Sequence, residues 1–230
     1  METAYESVFI AGAANTVAQS IVWFVLNAGN SGEQVKSDYV AYTLCNQVAV
    51  ASVHNKQVLF TLRPQQLEDR INAVCHVQYS EDCVYVLSAG DKGFINIWKI
   101  THNITKNTLQ QQFIQSLASE GKSMSSICAI GGNNHFSVVA ADTLGNLFLW
   151  VCNGVGGLGE EGEGGIEVEQ SNWQLTRTLR FHTAQMPNTL AIHRLTPLAN
   201  LLVVGSVDAK VHMFVHHMHT GLTAVGKREG

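Results

Sequence analysis

Cys83-Val-Tyr-Val-Leu-Ser-Ala-Gly-Asp-Lys-Gly-Phe-Ile-Asn-Ile-Trp-Lys-Ile100 reads as two strands and the turn that joins them. Val84, Val86 and Ser88 alternate with Tyr85, Leu87 and Ala89, a period of two that puts successive side chains on opposite faces. Gly90-Asp-Lys-Gly93 supplies the turn, because glycine takes positive φ at no steric cost and an aspartate side chain accepts backbone N–H bonds locally. Ile95, Ile97 and Trp98 then load the second strand with β-branched and aromatic bulk, the side chains that fit a half-buried pleated surface.

Three further segments fall on the same pattern. Asp142-Thr-Leu-Gly-Asn-Leu-Phe-Leu-Trp150 follows the strand Phe136–Ala141, and Asp208-Ala-Lys-Val-His-Met-Phe214 follows Leu201–Ser206. The weakest copy is Cys45–Ala51 after Tyr39–Leu44. An Asp in the turn and a Trp near the end of the next strand resemble the hairpin of a WD-repeat propeller blade. Ala51, Trp98, Trp150 and Phe214 become equivalent positions, at intervals somewhat longer than the ~40–45 residues usual for such blades. The pattern predicts an all-β, WD-repeat β-propeller of about four blades, each a four-stranded antiparallel sheet, left incomplete and open. The blades span approximately 15–65, 69–118, 123–182 and 186–230, with 1–14 a strand that would complete the last blade of a full propeller. The structural blade positions are Ser88, Asp91, Trp98, Asp142, Trp150, Asp208 and Phe214.

Composition agrees with a packed domain: 230 residues, 46% hydrophobic and 14% charged. A net charge of −4 without a Lys/Arg cluster gives no electrostatic footprint for nucleic acid, so direct transfer RNA contact is not expected. The five cysteines form no CxxC pair and lie in or beside predicted strands, which reads as reduced, buried side chains. Met1 to Leu26 lacks a basic n-region, with Glu2 and Glu6 in its place, and Asn15, Thr16, Gln19 and Ser20 break its apolar run; neither a signal peptide nor a membrane span is expected. It reads as two strands, 6–11 and 17–25.

Between them the loops offer little chemistry. Residues 153–165 form an acidic, glycine-rich loop; its glycines suggest a phosphate cradle, but Glu160, Glu161 and Glu163 would repel the anion. Leu109 to Leu117 reads as an outer strand, with a short helix as the alternative. His212, His216, His217 and His219 have spacings that can bind transition metals, without an acidic or cysteine partner beside them. Asn103-Ile-Thr105 is a glycosylation sequon that needs a secretory route. No nucleophile elbow, zinc-protease motif or carboxylate pair is recognisable, so no catalytic, cofactor-binding or metal-binding residue is assigned, and neither a cofactor nor a small-molecule ligand is expected.

WD blades commonly place a His before the inner strand, bonded towards the Asp, Ser and Trp of the blade. Ser88, Asp91 and Trp98 supply three of these, while Gln65 to Arg70 holds no His. In sequence order, Ser7-Val-Phe-Ile-Ala-Gly-Ala-Ala-Asn15, Cys45-Asn-Gln-Val-Ala-Val50, Trp173 to Phe181, Met186 to His193 and Leu201 to Val215 resemble the Elongator complex protein 2 family, over roughly residues 3 to 215. The resemblance implies the N-terminal part of the first of two seven-bladed propellers. It also implies a non-catalytic scaffold that contacts other Elongator subunits in the cytoplasm and nucleus and supports wobble-uridine modification of transfer RNA. His216 to Gly230 does not look like the next outer strand. A truncated product, a gene fragment and a short paralogue all fit four blades. A generic WD-repeat adaptor, such as a ubiquitin-ligase substrate receptor, is the alternative, although Lys99 and Val151 follow the tryptophans where that class carries Trp-Asp-x-Arg. An open arc would leave the apolar strands at 200–206 and 210–215 and residues Val8 to Ile10 without partners.

Overall fold

The computed structural model describes residues 19–27, 36–64, 68–103, 108–119, 122–132, 135–153, 173–180, 186–196, 199–207, 209–217 and 221–224. Every regular element among them is a strand. Blade 1 is β1 (Ile21–Asn27), β2 (Lys36–Leu44), β3 (Gln47–Ser52) and β4 (Gln57–Leu62). Blade 2 is β5 (Ile71–Ser80), β6 (Cys83–Gly90), β7 (Phe94–Asn103) and β8 (Thr108–Ala118). Blade 3 is β9 (Met124–Gly132), β10 (His135–Asp142), β11 (Asn146–Asn153) and β12 (Trp173–Arg180). Blade 4 is β13 (Pro187–Thr196), β14 (Ala199–Ser206), β15 (Val211–His217) and β16 (Gly221–Ala224). Each blade is an antiparallel meander of four strands. The inner strands β1, β5, β9 and β13 lie side by side towards the centre of the arc.

Period-two alternation gives each blade two apolar faces. We call the one turned to the preceding blade its leading face and the other its trailing face. Phe24, Leu26, Ala41 and Val50 on the trailing face of blade 1 pack against Val84, Val86, Trp98 and Ile100 on the leading face of blade 2. Leu87 and Ile97 of blade 2 meet Val138, Phe148 and Trp150 of blade 3. Val139 and Leu149 of blade 3 meet Leu190, Leu202, Val204 and Phe214 of blade 4. The tryptophan position of blades 2, 3 and 4 therefore fills the seam with the blade before it. Among the described residues the seams run from blade 1 to blade 4 and stop, and the sheets do not close into a ring.

The register makes the repeat explicit. Ala51, Trp98, Trp150 and Phe214 stand opposite Val40, Val86, Val138 and Leu202. The pairing of the third strand with the outer strand slips at Val50/Ala51, Ile97/Trp98 and Leu149/Trp150, the same place in three blades. A bulge bends the strand and increases its twist, and in blades 2 and 3 it falls at the tryptophan that fills the seam. The turn before the third strand also repeats. Gly93 and Gly145 have φ of 79° and 85°, and Ala209 takes φ of 62° at the corresponding position of blade 4. An alanine is strained there, so Ala209→Gly is expected to raise stability by about 1 kcal/mol, read as a shift of the urea midpoint at unchanged slope.

Several readings change. The first strand begins at Ile21 and not at residue 17; Gln19 has φ of 61° and turns the chain into it. Residues 109–117 are strand, as read, because β8 completes the ladder of β7. The chain after His216 does supply an outer strand: β16 pairs Ala224 with Phe214 and Gly221 with His217. Cys45 is exposed in a hairpin turn, whereas Cys75, Cys83 and Cys128 are buried. The apolar end of blade 4 is exposed on one face only: Val211 and Met213 point outward, while Leu202 and Val204 are buried against blade 3. Residues 1–14, Val8 to Ile10 and Asp208 lie outside the described residues, as do 154–165 of the acidic loop.

Candidate functional site

The polar positions read from the repeat do not converge on one centre. Ser88 and Trp98 share the leading face of blade 2, opposite Asn96 and Val86 in the ladder. Ser88 is buried, and its hydroxyl has no hydrogen-bond partner among the described residues. Asp91 instead sits exposed in the turn and accepts from Asn72 Nδ2 (2.6 Å) and from Ser123 Oγ (2.9 Å). Asn72 Nδ2 also donates to the Met124 carbonyl (2.9 Å), so the group ties blade 2 to blade 3. The corresponding residue of blade 3, Ser125, donates to the Pro187 carbonyl of blade 4 (2.5 Å). Asn72 and Ser125 each stand at a bulge in their inner strand.

Counted from the paired Val86 and Val138, Asp142 corresponds to Gly90, one place before Asp91. The Asp142 carboxylate organises its own turn, accepting from the backbone N–H of Leu144 (3.0 Å) and Asn146 (2.8 Å) and from Asn146 Nδ2 (2.7 Å). Blade 2 has no side chain at Gly90. Its turn is held by Asp69, from the segment before the inner strand, whose Oδ1 accepts from Lys92 N–H (2.7 Å). Lys92 corresponds to Leu144, so the same donor is satisfied by a carboxylate from a different place in the chain. Asp69 is buried, and a Cβ at Gly90 would lie 2.2 Å from its Oδ2. Glycine at position 90 makes room for it.

Two expectations follow. Asp69→Ala leaves the Lys92 donor without its acceptor and costs about 1–3 kcal/mol. Gly90→Asp alone is also destabilising, because two carboxylates compete for one space. The double variant should recover most of the loss by reproducing the arrangement of Asp142, which a double-mutant cycle in urea would show as strong coupling. Burial chiefly pushes the Asp69 carboxyl above its ordinary value of 3.8, with the N–H of Lys92 opposing and the charge of Asp91 reinforcing the rise. The folded state thus holds this proton more tightly than the unfolded chain does. Its contribution to stability is greatest below about 3.8 and is lost as pH rises through the raised value. Asp69→Asn removes the titration, so its stability relative to the parent should grow across that window, as acid-range urea melts at successive pH values would reveal.

The inner strands meet at Gln19. Its Nε2 donates to the Leu190 carbonyl of blade 4 (2.7 Å), and its Oε1 accepts from Ser126 Oγ (2.6 Å) and Ile127 N–H (3.0 Å) of blade 3. Its carbonyl accepts from Val74 N–H of blade 2 (2.8 Å), and the next carbonyl, of Ser20, accepts from Thr43 N–H of blade 1 (2.9 Å). Sequence reading missed both Gln19 and Asp69, since neither lies on a repeat position; the glycine at position 90 was the available signal.

At the opposite rim a cleft of about 700 Å³ opens between blades 1 and 2. Lys36, Asp38, Tyr39, His54, Phe60, His102 and Leu109 are in its wall. Tyr39 stacks on Phe24 with centroids 5.7 Å apart, and burial raises its phenol above the ordinary value. His102 is buried, and its Nδ1 has no hydrogen-bond partner among the described residues. The histidines near the C-terminus do not share a site: His212 and His216 lie on the face of β15 that carries Phe214, His217 lies on the other, and His219 is outside the described residues. Among the described residues no group of three or more His, Cys, Asp or Glu is placed to hold a metal ion.

No family model and no curated protein matches the chain. Its fold is similar to that of several solved structures. A mutant of the Aleuria aurantia lectin in complex with Fucα1-6GlcNAc superposes with a TM-score of 0.58 at 11% identity, over 91% of this chain and 62% of that one. BBS1N, in a crystal with ARL6DN, gives 0.53 at 10% identity over 94% and 67%. The WD40 domain of SCAP from fission yeast gives 0.50 at 10% identity over 94% and 47%. The chain spans between 47% and 67% of the length of these three proteins. At such identities the likeness is one of fold, and the fold is a β-propeller with four blades in an open arc among the described residues.

Proposed function

We propose that this chain is a non-catalytic interaction scaffold whose blade rims and faces hold other proteins. The observation that carries the reading is the architecture: four rigid sheets packed seam to seam, with turns and strand edges presented outward. Propellers manage their sheet edges by radial repetition and leave short connections exposed. A similar propeller, BBS1N, was crystallised in complex with the protein ARL6DN, which supports protein partners as a class. The finer reading rests on the ordered sequence resemblance to Elongator complex protein 2. On that reading the partners are Elongator subunits, catalysis on wobble uridines belongs to another subunit, and the chain resides in the cytoplasm and nucleus. Affinity purification of the chain from its source cell, with identification of the copurifying proteins, tests this. Elongator subunits are the expected result; cullin-ligase components would instead assign the adaptor role, and recovery of neither would remove the Elongator reading.

A further inference from the structure

We propose that the seam between blades 1 and 2 is a hinge: the outer strands of the two blades part and reclose while their inner strands stay tied. The seam is unusual in what it buries. Ser88 stands opposite Asn96 in the ladder, and Asn96 opposite Ser116, so the three form one row across the leading face of blade 2. The Ser88 and Ser116 hydroxyls and both polar side-chain atoms of Asn96 are buried without a hydrogen-bond partner among the described residues. Asp69 Oδ2, which lies over Gly90 on the same face, and His102 Nδ1 are in the same state. So is Thr43 Oγ1, on the face of blade 1 that carries Tyr39 and Ala41 and packs on blade 2. Among the described residues the core between blades 2 and 3 holds no atom of this kind, and Ser137 carries one at the seam of blades 3 and 4. A buried polar atom left unpaired costs free energy that contact with water returns. The polar row therefore opposes the apolar contacts of Val86, Trp98 and Ile100 beside it, and parting the sheets hydrates the whole row at once.

Bonds across the seam fix where it turns. Val74 N–H donates to the Gln19 carbonyl (2.8 Å), Ile71 N–H to the Cys45 carbonyl (2.7 Å) and Asn27 N–H to the Glu81 carbonyl (2.7 Å). Each has its blade 2 partner in β5 or the turn after it, so the tie lies along the inner strand. On the outer side the blades already stand apart: the cleft of about 700 Å³ runs between Leu59 and Phe60 of β4 and Thr108 and Leu109 of β8. An axis along β5 leaves Asn96, His102 and Ser116, on β7 and β8, on the side that opens. Motion about it changes the angle between blade 1 and the rest of the arc without breaking a strand ladder.

Thiol labelling of the full chain tests this. Val50, Ile97 and Leu149 are matched: each precedes the tryptophan position of its blade, is fully buried and faces the next seam. Each is replaced by cysteine in turn, and its reaction with a maleimide is followed by peptide mass spectrometry. The native Cys75 and Cys83, buried between blades 2 and 3, are internal references. Val50→Cys is expected to react at least about tenfold faster than Ile97→Cys and Leu149→Cys without denaturant. Its rate should rise less steeply with urea than global unfolding does, since parting one seam exposes less surface. Ala41→Cys, at the same seam, takes its place if circular dichroism shows that Val50→Cys is not folded. Adding Ser88→Ala and Ser116→Ala removes two unpaired hydroxyls without adding bulk, and should slow the reaction at the blade 1 thiol about tenfold. Equal protection of the three thiols overturns the proposal. Leu149→Cys reacting as fast as Val50→Cys overturns it too, because both ends of the arc would then fray alike. An unchanged or faster reaction after the serine substitutions would mean that the row supports a closed seam, and would also overturn it. The readout involves no partner protein, so none of these results bears on the scaffold reading.

Discussion

Replacing Trp98 with alanine is expected to lower the unfolding free energy by about 3–5 kcal/mol. The indole is 2% exposed and belongs to the core between blades 1 and 2, where Phe24, Val50, Val86 and Ile100 are also buried. Phe113 of the adjoining strand meets its ring at 72° with centroids 6.0 Å apart. Truncation removes this contact area and leaves a cavity between two sheets, each held by its own backbone ladder and therefore slow to collapse into the gap. Domain stabilities are commonly about 5–15 kcal/mol, so the variant would lose much of what the fold has. Trp23 is the control. It lies on the leading face of blade 1, which meets no other blade among the described residues, and is 51% exposed. Trp23→Ala should change stability by no more than about 0.5 kcal/mol. Chemical denaturation of both variants separates the value of the position from that of the residue type. If Trp98→Ala unfolded at the parent's midpoint, the seams as drawn would be incorrect.

The same contrast shows what a sequence can disclose about such a fold. Strands such as 83–90 and 94–100 were legible because backbone pairing and burial both obey the period of two. One hairpin therefore predicts its copies, and the registers at Ala51, Trp98, Trp150 and Phe214 follow. Which face of a strand is covered depends on the next blade, and no local pattern records that. The expectation of an exposed blade 4 was therefore half right: Val211 and Met213 face outward, while Leu202 and Val204, from the same apolar run, are buried. Polar positions were harder still. The motif directs attention to Asp91, but the turn of blade 2 is held by Asp69, and this depends on an absent side chain at Gly90. The cleft at the other rim is lined by Lys36, His54 and His102, among others, from three separate strands or turns. Nothing in their spacing announces that they line one cleft.

Gln19→Leu is expected to cost about 2–3 kcal/mol, a large effect for a residue that reads as one polar interruption in an apolar run. Leucine keeps the bulk and removes all three side-chain hydrogen bonds. The Leu190 carbonyl, the Ser126 hydroxyl and the Ile127 N–H then lose their partner together at the crowded centre of the arc. The effect should also be local in a way that a core truncation is not. Among the described residues blade 4 has a packed seam on one side only, and Gln19 ties it to the start of blade 1. Hydrogen exchange in the variant should therefore quicken in β13 and at Ile127 more than in β6 or β7, whose seams lie on both sides. Gln19→Glu separates the parts of the tie. A glutamate still accepts from Ser126 and Ile127 but has no donor for the Leu190 carbonyl, so protection of Ile127 should persist while β13 loosens. Uniform acceleration across all four blades in both variants would mean that Gln19 supports folding as a whole. Acceleration confined to β13 in the glutamate variant would establish it as the pin that holds the last blade to the centre.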